Sequence, residues 1–284
     1  MRVTQWLCPL CGPSPLDHFS EDAKAPCLRP CLPPDDAANM LRDCKEDTTH
    51  VFGAITATRL LGCARKVAIE DTLPVALDPA RYMAAHDGTE KHKALASQPQ
   101  TSYLLGELHG VQRELTVRGE LWGLTVQATI DRLGAQGIIE YKTTKGWAKS
   151  NEAKVWPEQQ VQVSIQSELA RQQLGHALRV RLWYKFWSTG QWAYADVEPL
   201  SLDEVAAFKP HGGDYTVREI GEQLSAFYHD YESTKAANQT GVPPEPFIRR
   251  LPLAGRKMKF GKKSACEMCL VQRECDRLEG VVTL

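Results

Sequence analysis

Three side chains near the middle of the chain have the types and spacing for phosphate chemistry. Asp131 lies in the run Ile130-Asp131-Arg132, and Glu140-Tyr141-Lys142 follows shortly after. Strand side chains alternate, so Glu140 and Lys142 share one face with Ile138, while Ile139, Tyr141 and Thr143 share the other. An antiparallel return across Gly134 to Gly137 brings Asp131 near Glu140. Two carboxylates and an ammonium then converge. Magnesium takes about six oxygen ligands but typically only one or two protein carboxylates, leaving room for water and a phosphate oxygen. The lysine can orient or deprotonate an attacking water and offset charge on the phosphorus. A lone E-x-K triplet also suits a solvated strand face, so its surroundings decide its meaning.

The nine cysteines are a second store of ligands. Cys266-Glu-Met-Cys269-Leu-Val-Gln-Arg-Glu-Cys275 gives three donors for a tetrahedral centre that needs a fourth, and Cys63 in Leu61-Gly62-Cys63-Ala64-Arg65-Lys66 is the obvious one. Such a centre closes a loop of about two hundred residues and lowers unfolded-state entropy as a long crosslink does. Its ligands suit an iron-sulfur cluster or zinc. Near the start, Cys8-Pro-Leu-Cys11 and Cys27-Leu-Arg-Pro-Cys31 fit either a small zinc knuckle or a reduced, disordered leader. Cys44 is left over.

The elements that must position these groups are legible in outline. Residues 1–50 form a Cys- and Pro-rich leader with little apolar periodicity, set apart from a domain at 51–284. Thr56 or Thr58 can cap a short helix through Leu60, Leu61 and Val67, and Asp78-Pro79 opens another past Tyr82, Met83, His92 and Leu95. Residues 111–144 read as a three-stranded meander with turns at Arg118-Gly119-Glu120 and Gly134-Ala135-Gln136. Pro157 starts a helix that ends at Gly175, with Val161, Ile165 and Leu169 at helical spacing. Strands at Arg179 to Trp187 and Gln191 to Val197 flank a hairpin turn, and Asp203 to Phe208 and Val217 to Tyr231 are helical. A Pro-rich linker, Gly241 to Pro246, leads to the last cysteines.

Composition sets outer bounds. With 284 residues and 43% hydrophobic content, the chain has material for a real core. No apolar run approaches the roughly 18–20 residues of a membrane span, and the N-terminus has no apolar signal region, so cytoplasmic residence with reduced thiols is expected. There is no P-loop and hence no ATP motor. The formal charge of −1 hides a polarity. Asp17 to Asp47 carries eight acids against four bases, while Ile248 to Ser264 carries Arg249, Arg250, Arg256, Lys257, Lys259, Lys262 and Lys263 with no acid. That basic run could track phosphates, and Trp147 and Trp156, with Lys145, Lys149 and Lys154, could stack bases of a single strand.

Asp131, Glu140 and Lys142 resemble, position by position, the motif of the PD-(D/E)XK nuclease superfamily. The RecB-like branch also has a helical G-x-x-x-H before the sheet, matched by Gly88 and His92, and a glutamine-bearing helix after it, matched by Gln160 or Gln162. Ala128 stands where a glycine is common, and Gln166 or Ser164 where a tyrosine is. The early Cys63 with the late Cys266, Cys269 and Cys275 resembles the iron-sulfur nucleases: CRISPR adaptation exonucleases, AddB subunits and the Okazaki-fragment helicase-nuclease. Together the motifs span about residues 55–276. The resemblance implies an α/β restriction-endonuclease-like core, a mixed sheet flanked by helices, closed by a 4Fe-4S cluster in a C-terminal module at about 248–276. It further implies Mg2+ or Mn2+ on His92, Asp131, Glu140 and the Tyr141 carbonyl, and exonuclease action on DNA single strands or ends. CRISPR integrase, helicase or recombination proteins would be its partners. A phage-type recombination exonuclease on duplex ends and a non-catalytic DNA-binding scaffold stand as rival readings.

Overall fold

The computed structural model describes residues 2–20, 23–24, 27, 37–38, 53–79, 112–134, 137–144, 153–186, 188–238, 241–260 and 262–280. It is a mixed α/β protein whose central sheet is flanked by helices. Strands β1 (Arg2–Cys8) and β2 (Gly12–Ser14) form an antiparallel hairpin, and β1 also pairs in parallel with β4 (Pro74–Leu77). The six-stranded sheet contains β3 (Ile55–Thr56), β5 (Gln112–Leu121), β6 (Leu124–Leu133), β7 (Gly137–Thr144), β8 (Arg179–Phe186) and β9 (Trp192–Val197). Its order is β3-β6-β7-β8-β9, with β5 on the other edge of β6. A small hairpin of β10 (Lys259–Phe260) and β11 (Lys263–Ser264) lies apart.

Helix α1 (Ala64–Thr72) follows a 3-10 turn at Arg59–Leu61, and α2 (Pro157–Leu174) is the long crossover between β7 and β8. Those two strands run parallel over eight pairs, and a parallel pair requires such a crossover. After β9 come α3 (Leu202–Ala207), α4 (Val217–Asn238), α5 (Glu245–Arg250) and α6 (Gln272–Leu278). One hydrophobic core joins Ile130 and Ile138 of the sheet to Val161, Ile165 and Leu169 of α2 and Leu224 of α4. Ile139 and Tyr141 belong to a second cluster with Trp183 and Trp192, as strand alternation requires.

In the described part of the leader Trp6 and Phe19 are buried edge-to-face at 5.5 Å, and β1 is tied to β4 far along the chain. Three expectations are corrected. The β5–β6 turn falls at Trp122-Gly123, both with positive φ (53° and 77°), rather than at Arg118-Gly119-Glu120, which continues the strand. Both positive angles are what a two-residue hairpin of the type I′ kind demands. Helix α1 begins at Ala64 after Cys63; Thr56 Oγ1 instead accepts from the Arg59 amide in the preceding turn. The supposed linker ends in α5, where Pro246 occupies an early helical position.

Arg65 fastens the C-terminal part to α1. Its buried guanidinium donates to the carbonyls of Leu251 and Arg249 and pairs with Glu279. At the start of β7, a Cβ on Gly137 would stand 2.8 Å from the Arg179 carbonyl oxygen of β8. Backbone cannot move aside cheaply there. Gly137→Ala is therefore expected to cost about 1–3 kcal/mol, read as a lower urea midpoint at unchanged slope.

Candidate active site and metal centres

The site arises where β6 and β7 part. β5 pairs with β6 from end to end, but the other edge of β6 is shared: β3 meets Val126 and Gln127, and β7 meets Arg132 and Leu133. Beyond Arg132↔Ile139 side chains replace the ladder. The Asp131 amide donates to Glu140 Oε1 (3.0 Å), and the Tyr141 amide donates to Asp131 Oδ2 (2.7 Å). The Gln166 side chain donates to the Thr129 carbonyl (2.9 Å). Across from Asp131 on β5, Glu114 takes φ 49°, a left-handed value uncommon outside glycine.

Both carboxylates are buried, Asp131 at 9% and Glu140 at 2% exposure. Lys142 Nζ lies 3.4 Å from Glu140 Oε2 and donates to Gln162 Oε1 at 3.2 Å. Burial raises the Glu140 pKa to about 7; Lys142 opposes the rise and the Asp131 charge adds to it. A carboxylate so penalised gains from a cation. Of the two candidate glutamines, Gln162 meets Lys142, whereas Gln160 donates to the Glu198 carbonyl (3.1 Å). Tyr141 is fully buried, its ring 6.4 Å from Trp192 on the opposite face. His92, with Gly88, lies outside the described residues, as do Trp147, Lys145 and Lys149.

Cys63, Cys266, Cys269 and Cys275 line one cavity of about 370 Å³, together with Leu61, Leu253, Met258 and Val271. Gly255 makes room for the wall: a Cβ there would stand 3.0 Å from Cys266 Sγ and 3.6 Å from Cys63 Cβ. Burial pushes the Cys266 thiol up to about 11 and the Cys269 thiol to about 12. A metal centre held by such thiols would have to displace their protons.

A third group sits near the N-terminus. The ligand atoms of Cys8, Cys11, His18 and Cys27 all lie within 4.8 Å of one another, and such a Cys3His group could bind a metal such as zinc. His18 enters this group where Cys31 was expected; Cys31 and Cys44 lie outside the described residues. In the sequence His18 stands alone between the two cysteine pairs, and only the fold brings it to them. Gln166, one helical turn after Gln162, was read only as a substitute for a tyrosine.

Arg256, Lys257, Lys259, Lys262 and Lys263 are exposed on or beside the β10–β11 hairpin, and Arg256 also borders the four-cysteine cavity. Lys257 is ion-paired with Asp214 at 2.5 Å. Trp156, 59% exposed, precedes α2 with Lys154 Nζ 6.0 Å from its ring centre. Among the described residues, no helix is long and apolar enough to cross a membrane.

No protein family and no curated protein matches the chain. Among solved structures, the protein SSO0001 is similar over 72% of this chain and 86% of its own, with 17% identity and a TM-score of 0.41. A candidate exonuclease from Eubacterium rectale is similar over 56% of each chain, with 15% identity and a TM-score of 0.29.

A cation bound at Glu140 would compete with the proton that burial favours there. Below about 7 a cation must displace a proton from this carboxyl, and above it the carboxylate is already formed. Mn2+ affinity, measured by titration calorimetry, is expected to fall about tenfold per unit as pH drops below that value and to level off above it.

Proposed function

We propose that the protein is a divalent-metal-dependent DNA exonuclease of the RecB-like, iron-sulfur kind, acting on single strands or on ends. The observation that carries this reading is the convergence of Asp131, Glu140, Lys142 and Gln162 at the parting of β6 and β7. The site fits a hard cation: two carboxylates share it, each with one oxygen bonded by the other strand's amide. Mg2+ or Mn2+ held by Asp131 and Glu140 supplies polarisation of a phosphate oxygen and acidification of water. By the resemblance, His92 and the Tyr141 carbonyl complete its ligands.

The chain's own contribution is positioning and charge. Gln162 and Glu140 hold the Lys142 ammonium beside the carboxylates, where it offsets negative charge gathering on the phosphate. The attacking water gives up a proton as its oxygen bonds to phosphorus, the P–O ester bond to the departing strand breaks, and the departing oxygen takes up a proton from solvent, so the proton count is unchanged. Gln166 braces the β6 edge from the same helix face as Gln162.

The four cysteines fit a 4Fe-4S cluster better than a single ion, because they surround a cavity rather than gather on one point. Its role in this reading is to join Cys63 to the C-terminal module. The exposed lysines of β10 and β11, with Trp156 and Lys154, are the groups this reading assigns to contacts with phosphates and bases. Such an enzyme belongs with CRISPR adaptation, repair or recombination machinery.

The decisive comparison is linear against circular single-stranded DNA, with and without Mn2+. Metal-dependent loss of the linear form alone is expected; attack on the circle would overturn exonuclease action, and binding without loss would favour a scaffold. Asp131→Ala should abolish degradation while leaving visible cluster absorbance intact. Gln162→Ala should lower kcat by about 10²-fold and Gln160→Ala far less, since only Gln162 bonds Lys142.

A further inference from the structure

The N-terminal segment carries a motif that the proposed nuclease does not use. Cys8 and Cys11 flank the tight link between β1 and β2, and Cys27 returns to them, its amide donating to the His18 carbonyl at 3.0 Å. The Cys27 sulfur stands 3.9 Å from the sulfurs of both Cys8 and Cys11. Zinc–sulfur bonds of about 2.3 Å at tetrahedral angles place sulfurs about 3.8 Å apart, whereas a disulfide needs about 2.05 Å. His18, 5% exposed, brings one ring nitrogen to the same point, and its buried Nε2 has no hydrogen-bond partner. Buried polar atoms are rarely left unpaired unless a ligand meets them.

We propose that Cys8, Cys11, His18 and Cys27 hold one Zn2+, with the His18 imidazole as the fourth donor, and that this ion fixes the fold of residues 2–20 and ties Cys27 to them. Three thiolates and an imidazole select zinc over the hard cations suited to the carboxylate site. Among the described residues of the segment, Trp6 and Phe19 are the buried apolar side chains besides the cysteines, so metal binding stands in for a core. The effect reaches further than the hairpin. β1 pairs with β4 from Arg2 to Trp6, and the Ala76 amide of β4 donates to Glu274 Oε1 (3.1 Å) on α6, the helix that bears Cys275.

The test is elemental analysis of the full-length protein and its variants, with hydrogen exchange followed in parallel. One zinc per chain is expected, independent of iron, and Cys266→Ser should leave it in place. His18→Ala and Cys8→Ser should lose zinc and exchange protection in β1 and β4, while α2 keeps its protection. His18→Cys should retain the ion, which separates ligand loss from misfolding, and Cys31→Ser should retain it too. Zinc persisting in both His18→Ala and Cys8→Ser, zinc lost in Cys31→Ser, or no zinc in the parent protein would each overturn the proposal. None of these outcomes bears on DNA degradation, so the nuclease reading stands or falls separately.

Discussion

The structure turns on a reciprocal exchange of hydrogen bonds between two strands. Asp131 gives its amide to the Glu140 carboxylate, and the amide after Glu140 goes to the Asp131 carboxylate. These are amides that a continuing ladder would have spent on carbonyls. Spending them on side chains fixes the spacing of two acids without any rotamer freedom to spare, in a place with little water to screen them. The exchange is possible because β3 and β7 divide one edge of β6, leaving a gap between their pairings. The crossover from β7 to β8 then lays α2 across the gap, so Gln162 and Gln166, one turn apart, reach Lys142 and the β6 carbonyl.

Much of this was legible from residue order. Helix α2 runs from Pro157 to a Gly175 cap as its punctuation indicates, and alternation in β7 divides Ile138 and Ile139 between two cores. What escaped depends on partners distant in the chain. Nothing local marks Arg2 to Cys8 as a strand, because its partner β4 lies some seventy residues on and supplies the pairing. Trp122 sits at a positive φ that a bulky residue seldom adopts, so glycine at 119 drew the turn away from its true place. The choice between Gln160 and Gln162 needed helix phase relative to the sheet, which pattern alone does not set. His18 needed the fold of the leader itself.

Two sets of side chains bring the segment at Cys63 to the residues after 248. One is the four cysteines, Cys63 and three late ones, which line a common cavity and would close it by holding a metal centre. The other requires no metal: Arg65, two residues after Cys63, reaches two carbonyls at 249 and 251 and the carboxylate of Glu279. A buried guanidinium with its donors so used is expensive to strip of partners. The protein side of the cysteine cavity is thus assembled by ordinary hydrogen bonding, with the sulfurs already facing one another.

That arrangement has a consequence for synthesis on the ribosome. Cys63 and Arg65 emerge well before their partners at 249–279. At about 5–20 residues per second, Cys275 follows Cys63 by about 10–40 s. During that interval α1 has β1, β4 and, once made, α4 to pack against, while the surface that docks α5 and α6 still waits for the C-terminal module. A cluster on these cysteines would therefore be recruited late, timed by the emergence of Cys266 to Cys275 rather than by the folding of β6 and β7.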